Sequence, residues 1–126
     1  MKQLKPSVFL ADLSHTHNGV WSLTFPLGAA CVASYAQEVL GNDFDFKVFK
    51  FPDQLSEAIL EAPPTILACS NYSWNCELTY KFVSWAKQRY PDLVVVFGGP
   101  NFPIVPEEKA RFLMKYPAVD FYVQNE

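Results

Sequence analysis

The sequence predicts a doubly wound α/β fold, in which helices cover both faces of one parallel sheet. Short unbroken apolar runs such as Val94–Phe97 are typical of strands buried on both faces, as the strands of parallel sheets are. These runs alternate with segments of helical periodicity over short connections, a pattern that indicates right-handed crossovers between parallel strands. At 126 residues and 50% hydrophobic, residues 1–126 are expected to form a single domain with its own core.

Five strands are predicted from the apolar runs. They are Val8–Ala11, Phe44–Phe51, Thr65–Cys69, Val94–Phe97 and Val119–Val123. Lys47 and Lys50 favour an edge position for the second strand, because charge at a sheet edge discourages pairing with other chains. Five strands with a charged second strand fit the Rossmann-like (flavodoxin-like) order 2-1-3-4-5, whose switch point lies between the first and third strands.

Four helices are predicted between these strands. They run from Pro26 to about Leu40, from Pro52 to about Ala62, from Cys76 to Tyr90, and onward from Pro106. Small residues on one face of the first helix, among them Gly28 and Ala33, predict close packing on the sheet. Gly41 should end that helix, since glycine tolerates the left-handed conformation. Asn75 should cap the third helix with its side chain.

Composition argues against several classes of partner. A formal net charge of −3 disfavours nucleic acid and anionic membranes as partners. No apolar stretch is long enough to span a bilayer, and the first five residues lack a signal-peptide core, so a cytoplasmic protein is expected. Cys31, Cys69 and Cys76 show no paired metal-ligand spacing. Because Cys31 falls in an apolar helix and Cys69 in an apolar strand, buried thiols in a reducing compartment are favoured.

The carboxyl ends of the strands are the predicted ligand-binding edge. Gly98 and Gly99 end the fourth strand, and glycines let a ligand approach the main chain closely. Ligands of open α/β sheets bind just beyond the carboxyl ends of the strands. The predicted strand order brings residues 14–25, 70–75 and 98–102 to this edge, and these three segments are called the rim below.

The rim mixes aromatic side chains with hydrogen-bonding ones. Its aromatic residues are Trp21, Phe25, Tyr72, Trp74 and Phe102, and its polar residues include Ser14, Ser22, Ser70, Asn71, Ser73 and Asn101. A large, flat, mostly apolar ligand with hydrogen-bonding edges would explain the mixture. The alternative is that the aromatic rings pack beneath the loops or against a neighbouring domain, and the sequence leaves both interpretations open.

Other chemistries find little support in the residues. His15 and His17 could share a metal, but without a third ligand of suitable spacing they are interpreted as loop histidines. Neither a Gly-x-Gly-x-x-Gly turn after the first strand nor a Walker lysine is present. A response-regulator receiver would have clustered acids at the strand ends, where only Asp12 lies. Ser14 beside His15 does not make a triad, so no catalytic residue is predicted.

The order of features resembles the N-terminal cobalamin-binding domain of cobalamin-dependent radical S-adenosylmethionine enzymes. The matching pieces are Phe25–Gly28, Ser70, Phe97–Asn101, Pro106–Glu108 and Val119–Val123, and together they cover almost the whole chain. The resemblance implies that the rim holds the corrin ring and that a cleft beside the glycines takes the nucleotide tail. The cofactor-binding residues that it implies are Ser14, Trp21, Ser70, Asn71, Tyr72, Ser73, Trp74, Gly98, Gly99, Pro100 and Asn101.

The chain departs from this family's relatives at the cobalt-ligand motif. In Asp-x-His-x-x-Gly the histidine ligates cobalt, but here His15 follows Asp12 by three positions, and Gly19 follows His17 by two. No metal ligand is therefore predicted. The Gly-Glu that usually follows the fifth strand is replaced by Gln124–Glu126.

The resemblance implies that the chain is a cobalamin-binding module of a longer enzyme that performs methyl transfer or a radical rearrangement. A downstream barrel with a Cys-x-x-x-Cys-x-x-Cys motif would bind the iron–sulfur cluster and S-adenosylmethionine, and residues 1–126 contain no such motif. A further helix is expected to cover the last strand. The alternative is a non-catalytic interaction domain of the same fold that has lost cofactor binding and docks another domain through its rim.

Overall fold

The computed structural model describes residues 4–16 and 24–125. The strands are β1 (Ser7–Ala11), β2 (Asp45–Phe49), β3 (Ile66–Ser70), β4 (Val94–Gly98) and β5 (Phe121–Val123). The helices are α1 (Leu27–Leu40), α2 (Pro52–Glu61), α3 (Cys76–Arg89) and α4 (Pro106–Lys115), with a short 3₁₀ turn at Gly41–Asp43.

The described strands form one parallel sheet in the order β2-β1-β3-β4-β5. The predicted fold class and strand order are therefore confirmed, including the edge position of the strand that carries Lys47. The chain leaves β1 toward β2 and then crosses back to β3, so the switch point lies between β1 and β3. Gly41 ends α1 with a positive φ of 59°, as predicted.

One face of the sheet carries the main core. Alternate residues of the central strands, such as Phe9, Leu67 and Val95, are at most 2% exposed and pack against residues of α2, α3 and α4. The partners from the helices include Leu55, Ile59, Val83, Ala86 and the partly buried Phe112. Burying one such large side chain is worth about 1.5–3 kcal/mol, so this face supplies most of the stability of the fold.

The opposite face is covered unevenly. Helix α1 packs against β1 and β2, where Leu10 is 5% exposed. Over β3, β4 and β5 no helix of the described residues covers this face, which is called the open face below. The residues on this face are Ile66, Ala68 and Ser70 of β3, Val94, Val96 and Gly98 of β4, and Phe121 and Val123 of β5. Phe121 and Val123 are 63% and 59% exposed, so apolar surface is left in water.

Helix α1 turns only part of its predicted small-residue face toward the sheet. Ala33 is buried, in agreement with the predicted close packing, but Gly28 is exposed and an added Cβ there would have no atom within 4 Å. Large apolar residues lie on the outward side of the helix. These exposed residues are Leu27, Val32, Tyr35 and Val39. Cys31 is also exposed, so the prediction that it is buried is wrong, while Cys69 and Cys76 are buried. The sequence of an apolar helix does not indicate which of its sides packs on the sheet, and in α1 it is the side that carries Ala33.

No helix of the described ranges is long and apolar enough to cross a membrane.

Candidate functional site

A strip of small residues, called the small-residue groove below, runs along the open face to the carboxyl edge. Ala68 and Ser70 of β3 point to this face, and Ser70 is the register partner of Gly98, which in turn pairs with Val123. A Cβ atom added to Gly98 would have only the carbonyl oxygen of Val123 within 4 Å, at 4.0 Å. This small-residue groove therefore has room for a flat group against the main chain.

Position 99 requires glycine for a different reason, because a side chain there would clash with the backbone of the protein itself. The φ of Gly99 is +114°, a conformation that side-chain-bearing residues rarely adopt. An added Cβ would lie 2.8 Å from the carbonyl oxygen of Asn71 and 3.2 Å from the nitrogen of Asn71. The backbone N–H of Asn71 donates to the Gly98 carbonyl over 2.6 Å, so the loops after β3 and β4 touch at the Gly98–Gly99 turn.

The Asn71 side chain holds these two loops together. It is fully buried, and its Nδ2 donates to the Asn101 carbonyl over 2.8 Å and to the Tyr122 hydroxyl over 3.3 Å. The Asn101 amide donates in return to Asn71 Oδ1 over 3.3 Å. Buried amides are costly unless they are hydrogen-bonded, so this set of bonds fixes the relative position of the two rim segments.

Tyr122 supports the Gly98–Gly99 turn from the other side. Its hydroxyl donates to the Gly99 carbonyl over 2.7 Å, and its ring stacks on Phe102 with a centroid distance of 3.8 Å and an interplanar angle of 14°. Partial burial of the ring raises the pKa of the Tyr122 hydroxyl, which therefore stays protonated as a donor. The ring of Phe112 meets that of Tyr122 edge-on, which completes the packing under the turn.

Asn75 joins the loop after β3 to the loop after β1. Its Oδ1 accepts from the Tyr72 N–H over 2.9 Å, and its Nδ2 donates to the Leu13 carbonyl over 3.2 Å. The residue stands at the N-cap position of α3, but its side chain makes no capping bond, so the predicted capping role is wrong. The side chain is fully buried, and its bond to Leu13, far away in sequence, replaces the local cap.

Asp12 lies at the carboxyl end of β1, next to the small-residue groove. The Ser70 hydroxyl donates to Asp12 Oδ1 over 2.5 Å, and the pair is only partly buried. A carboxylate and a hydroxyl therefore meet at the switch point between β1 and β3. Neither Asp12 nor Tyr122 is among the site residues predicted from the sequence. The position of Asp12 directly after a buried strand is the sequence signal that points to it.

Tyr72 and Trp74 form an exposed aromatic platform on the rim. Their rings stack with a centroid distance of 5.3 Å and an interplanar angle of 12°, and they are 36% and 55% exposed. The His15 Nε2 lies 3.2 Å from the Trp74 carbonyl oxygen. Phe102, by contrast, packs against Tyr122, as the alternative interpretation of the rim aromatics expects.

The remaining predicted site residues are spread along the rim. Ser14 is 6% exposed, and its N–H donates to the Lys50 carbonyl over 3.0 Å. Ser73 and Pro100 are exposed. Trp21 lies outside the described residues. Within the described ranges, no three His, Cys, Asp or Glu side chains come together as a possible metal site.

The described residues form a doubly wound α/β domain whose candidate ligand edge lies at the carboxyl ends of its strands. No protein-family model matches the chain. The chain is 34% identical over 107 residues to the cobalamin-dependent radical SAM methyltransferase TokK from Streptomyces tokunonensis. It is 33% identical over 105 residues to a 2-(S-pantetheinyl)-carbapenam-3-carboxylate methyltransferase from Streptantibioticus cattleyicolor.

Both alignments include 80% of this chain but only 15% of each relative. The chain is therefore homologous to one part of cobalamin-dependent radical SAM methyltransferases, which confirms the resemblance predicted from the sequence. It spans about a seventh of the length of these relatives.

Two solved structures share the fold. A cobalamin-binding protein from Desulfitobacterium hafniense DCB-2 superposes with a TM-score of 0.61 at 16% identity, covering 95% of this chain and 53% of that one. RcsB from Salmonella enterica serovar Typhimurium, solved on promoter DNA, gives a TM-score of 0.61 at 11% identity, covering 98% of this chain and 62% of that one. At these identities the likeness shows the fold alone.

Proposed function

We propose that this domain binds cobalamin and serves as the cofactor module of a radical S-adenosylmethionine methyltransferase. The observation that carries the proposal is the small-residue groove, which opens at the rim in a chain homologous to cobalamin-dependent enzymes. The groove needs small side chains at Ala68, Ser70 and Gly98 if a nucleotide tail is to lie against the strands. A site for a phosphate-rich nucleotide would instead present a glycine-rich loop with a helix N-terminus after the first strand.

The groove fits a nucleotide tail on physical grounds. Apolar walls from Phe121 and Val123 of β5 stand beside a floor of small side chains, and the polar Ser70 and Asp12 lie at its mouth. A flat heterocycle with a sugar attached presents the same order of apolar and polar surface. In this role Gly98 leaves space for the tail against the main chain. Gly99 acts indirectly, because its missing side chain allows the close contact with the backbone of Asn71 that fixes the conformation of the turn.

The rim fits the corrin ring. The Tyr72–Trp74 platform offers an exposed aromatic surface for a large, mostly apolar ring, and Ser73 is exposed beside it for hydrogen bonding to the ring's amide groups. Trp21, Pro100 and Asn101 are proposed to complete the contact surface, whereas Ser14 is only 6% exposed and is proposed to support the rim from within. Asn71 and Asn75 position these loops rather than touch the ligand, because both side chains are fully buried and already hydrogen-bonded.

Cobalamin supplies methyl-transfer chemistry when it is bound. The residues of this domain bind and orient the cofactor, and none of them is assigned a catalytic step. In the whole protein, a further domain with a Cys-x-x-x-Cys-x-x-Cys motif is proposed to hold the iron–sulfur cluster and S-adenosylmethionine. The open face and the exposed side of α1 offer apolar surface to further polypeptide, which supports residues 1–126 being one domain of a longer chain.

The second candidate is an interaction domain that has lost cofactor binding. The exposed apolar side of α1 favours it, because Leu27, Val32 and Tyr35 are each at least 60% exposed. Contiguous apolar patches of this kind mark interaction surfaces. The two candidates differ in one measurable respect, which is whether the rim and the groove take up cobalamin.

The test compares two substitutions on the same strand and the same face. Gly98→Leu fills the small-residue groove, and the structure leaves room for it in the absence of ligand. Val94→Phe adds bulk to the open face four residues earlier, away from the rim. The purified variants are titrated with hydroxocobalamin and followed by visible absorption, with circular dichroism as the control for folding.

We expect weak binding by the wild-type domain, because one face of the corrin stays in water. Gly98→Leu should abolish the spectral change, and Val94→Phe should preserve it. If the wild-type domain shows neither a spectral change nor retention of the cofactor at millimolar concentration, the cobalamin proposal is wrong and the interaction domain is favoured. Equal binding by the wild type and Gly98→Leu would show that the tail does not lie in this groove.

A further inference from the structure

Asp12 and Ser70 together form a hydrogen-bond acceptor at the mouth of the small-residue groove. A serine hydroxyl has one proton, and the Ser70 proton is directed to Asp12 Oδ1 over 2.5 Å. What remains for a ligand are the lone pairs of Ser70 Oγ and the second carboxylate oxygen of Asp12. Without Asp12, Ser70 could either donate or accept, so the carboxylate decides the polarity of this position.

The location of the pair makes it relevant to ligand choice. Ser70 lies on the open face as the register partner of Gly98, the glycine whose missing Cβ leaves the groove empty. Asp12 is held in place by its own N–H, which donates to the Phe49 carbonyl over 2.9 Å. A group lying against Gly98 would therefore meet acceptor atoms and a negative charge on its β1 side.

We propose that Asp12 is a specificity-determining residue, which makes the groove select a tail that presents a hydrogen-bond donor at this point. The proposal rests on the proposed function and adds the polarity of the subsite. A ribose hydroxyl or an amide N–H of the nucleotide tail meets the requirement, whereas the tail phosphate would be repelled by the carboxylate. Charged acceptors give stronger hydrogen bonds than neutral ones, so the Asp12 carboxylate should contribute measurably to affinity.

The test replaces Asp12 by asparagine and compares two corrinoids. Cobalamin carries the nucleotide tail, and cobinamide has the same corrin ring without it. Asp12→Asn removes the charge and can turn a donor toward the groove, so its cobalamin affinity should fall by about tenfold or more. Its cobinamide affinity should stay at the wild-type value. Asp43→Asn, an exposed acid in the 3₁₀ turn after α1, is the matched control and should change neither affinity.

Each outcome either supports or overturns the proposal. A loss confined to cobalamin supports it, and Ser70→Ala, which removes the second acceptor, should then weaken cobalamin alone as well. An equal loss for both corrinoids would mean that Asp12 acts only on the shape of the rim, and an unchanged or raised cobalamin affinity would mean that no donor meets this pair. Both results overturn the inference while leaving cobalamin binding by the wild type intact.

If the wild type binds neither corrinoid, the proposed function has failed. Should Asp12→Asn be unfolded by circular dichroism, the Ser70→Ala comparison decides alone.

Discussion

Gly99→Ala should destabilise the domain even in the absence of any ligand. Alanine at a φ of +114° occupies a sparsely populated region of backbone space, which costs about 1–3 kcal/mol. Its Cβ would also lie 2.8 Å from the Asn71 carbonyl oxygen, so the two loops must separate. That movement weakens the bond from the Asn71 N–H to the Gly98 carbonyl, worth about 0.5–1.5 kcal/mol. The sum is a loss of about 1.5–4.5 kcal/mol in the free energy of unfolding.

Urea denaturation followed by circular dichroism measures this loss. Domains of this size unfold with about 5–15 kcal/mol, so the variant should remain folded in buffer but with a clearly lower urea midpoint. Gly98→Ala is the control, because its Cβ meets only one atom at 4.0 Å, and its stability should lie within about 0.5 kcal/mol of the wild type. Equal losses of stability in the two variants, or a loss of less than about 1 kcal/mol for Gly99→Ala, would refute this role of Gly99.

Two further predictions concern the histidines and the cysteines. His15→Ala and His17→Ala should each leave the visible spectrum of bound cobalamin unaltered, because neither has the spacing of a cobalt ligand; loss of a histidine-ligated absorption pattern in either variant would show that the loop was misinterpreted. Cys31 should react with iodoacetamide in the native protein, because it is exposed, whereas Cys69 should not, since full burial raises the pKa of its thiol and keeps it protonated. Mass spectrometry of the labelled peptides checks this, and native labelling of Cys69 at the rate of Cys31 would contradict the described core.

The fold could be predicted from the sequence because its signals are local. The run from Val94 to Phe97 and the glycines after it predict a buried strand with a sharp end, and the structure has β4 at Val94–Gly98. Lys47 predicted the edge position of β2 correctly, whereas Lys50 lies just beyond the end of this strand. The proline at residue 52 marked the start of α2. Each of these features depends on neighbours within a few positions.

The candidate site could be predicted only in outline. The described residues of the rim lie at the carboxyl edge as predicted, because strand order determines which loops are adjacent. The roles of single side chains depend on partners far along the chain, as for Asn75, which bonds the Leu13 carbonyl instead of capping α3. The bond between Asp12 and Ser70 joins residues 58 positions apart, and no local pattern contains it. The sequence predicts that both glycines make room for the ligand. In the structure, a side chain at position 99 would clash with the backbone of Asn71, so only Gly98 borders open space in the small-residue groove.

The most direct test of cobalamin binding is one titration of the purified wild-type domain with hydroxocobalamin, followed by visible absorption. We expect a saturable spectral change with weak affinity, and retention of the coloured cofactor on gel filtration at high cofactor concentration. The bound spectrum should lack the pattern of a histidine-ligated cobalt. A spectrum that stays the sum of free cofactor and protein up to millimolar hydroxocobalamin would contradict cobalamin binding by this domain.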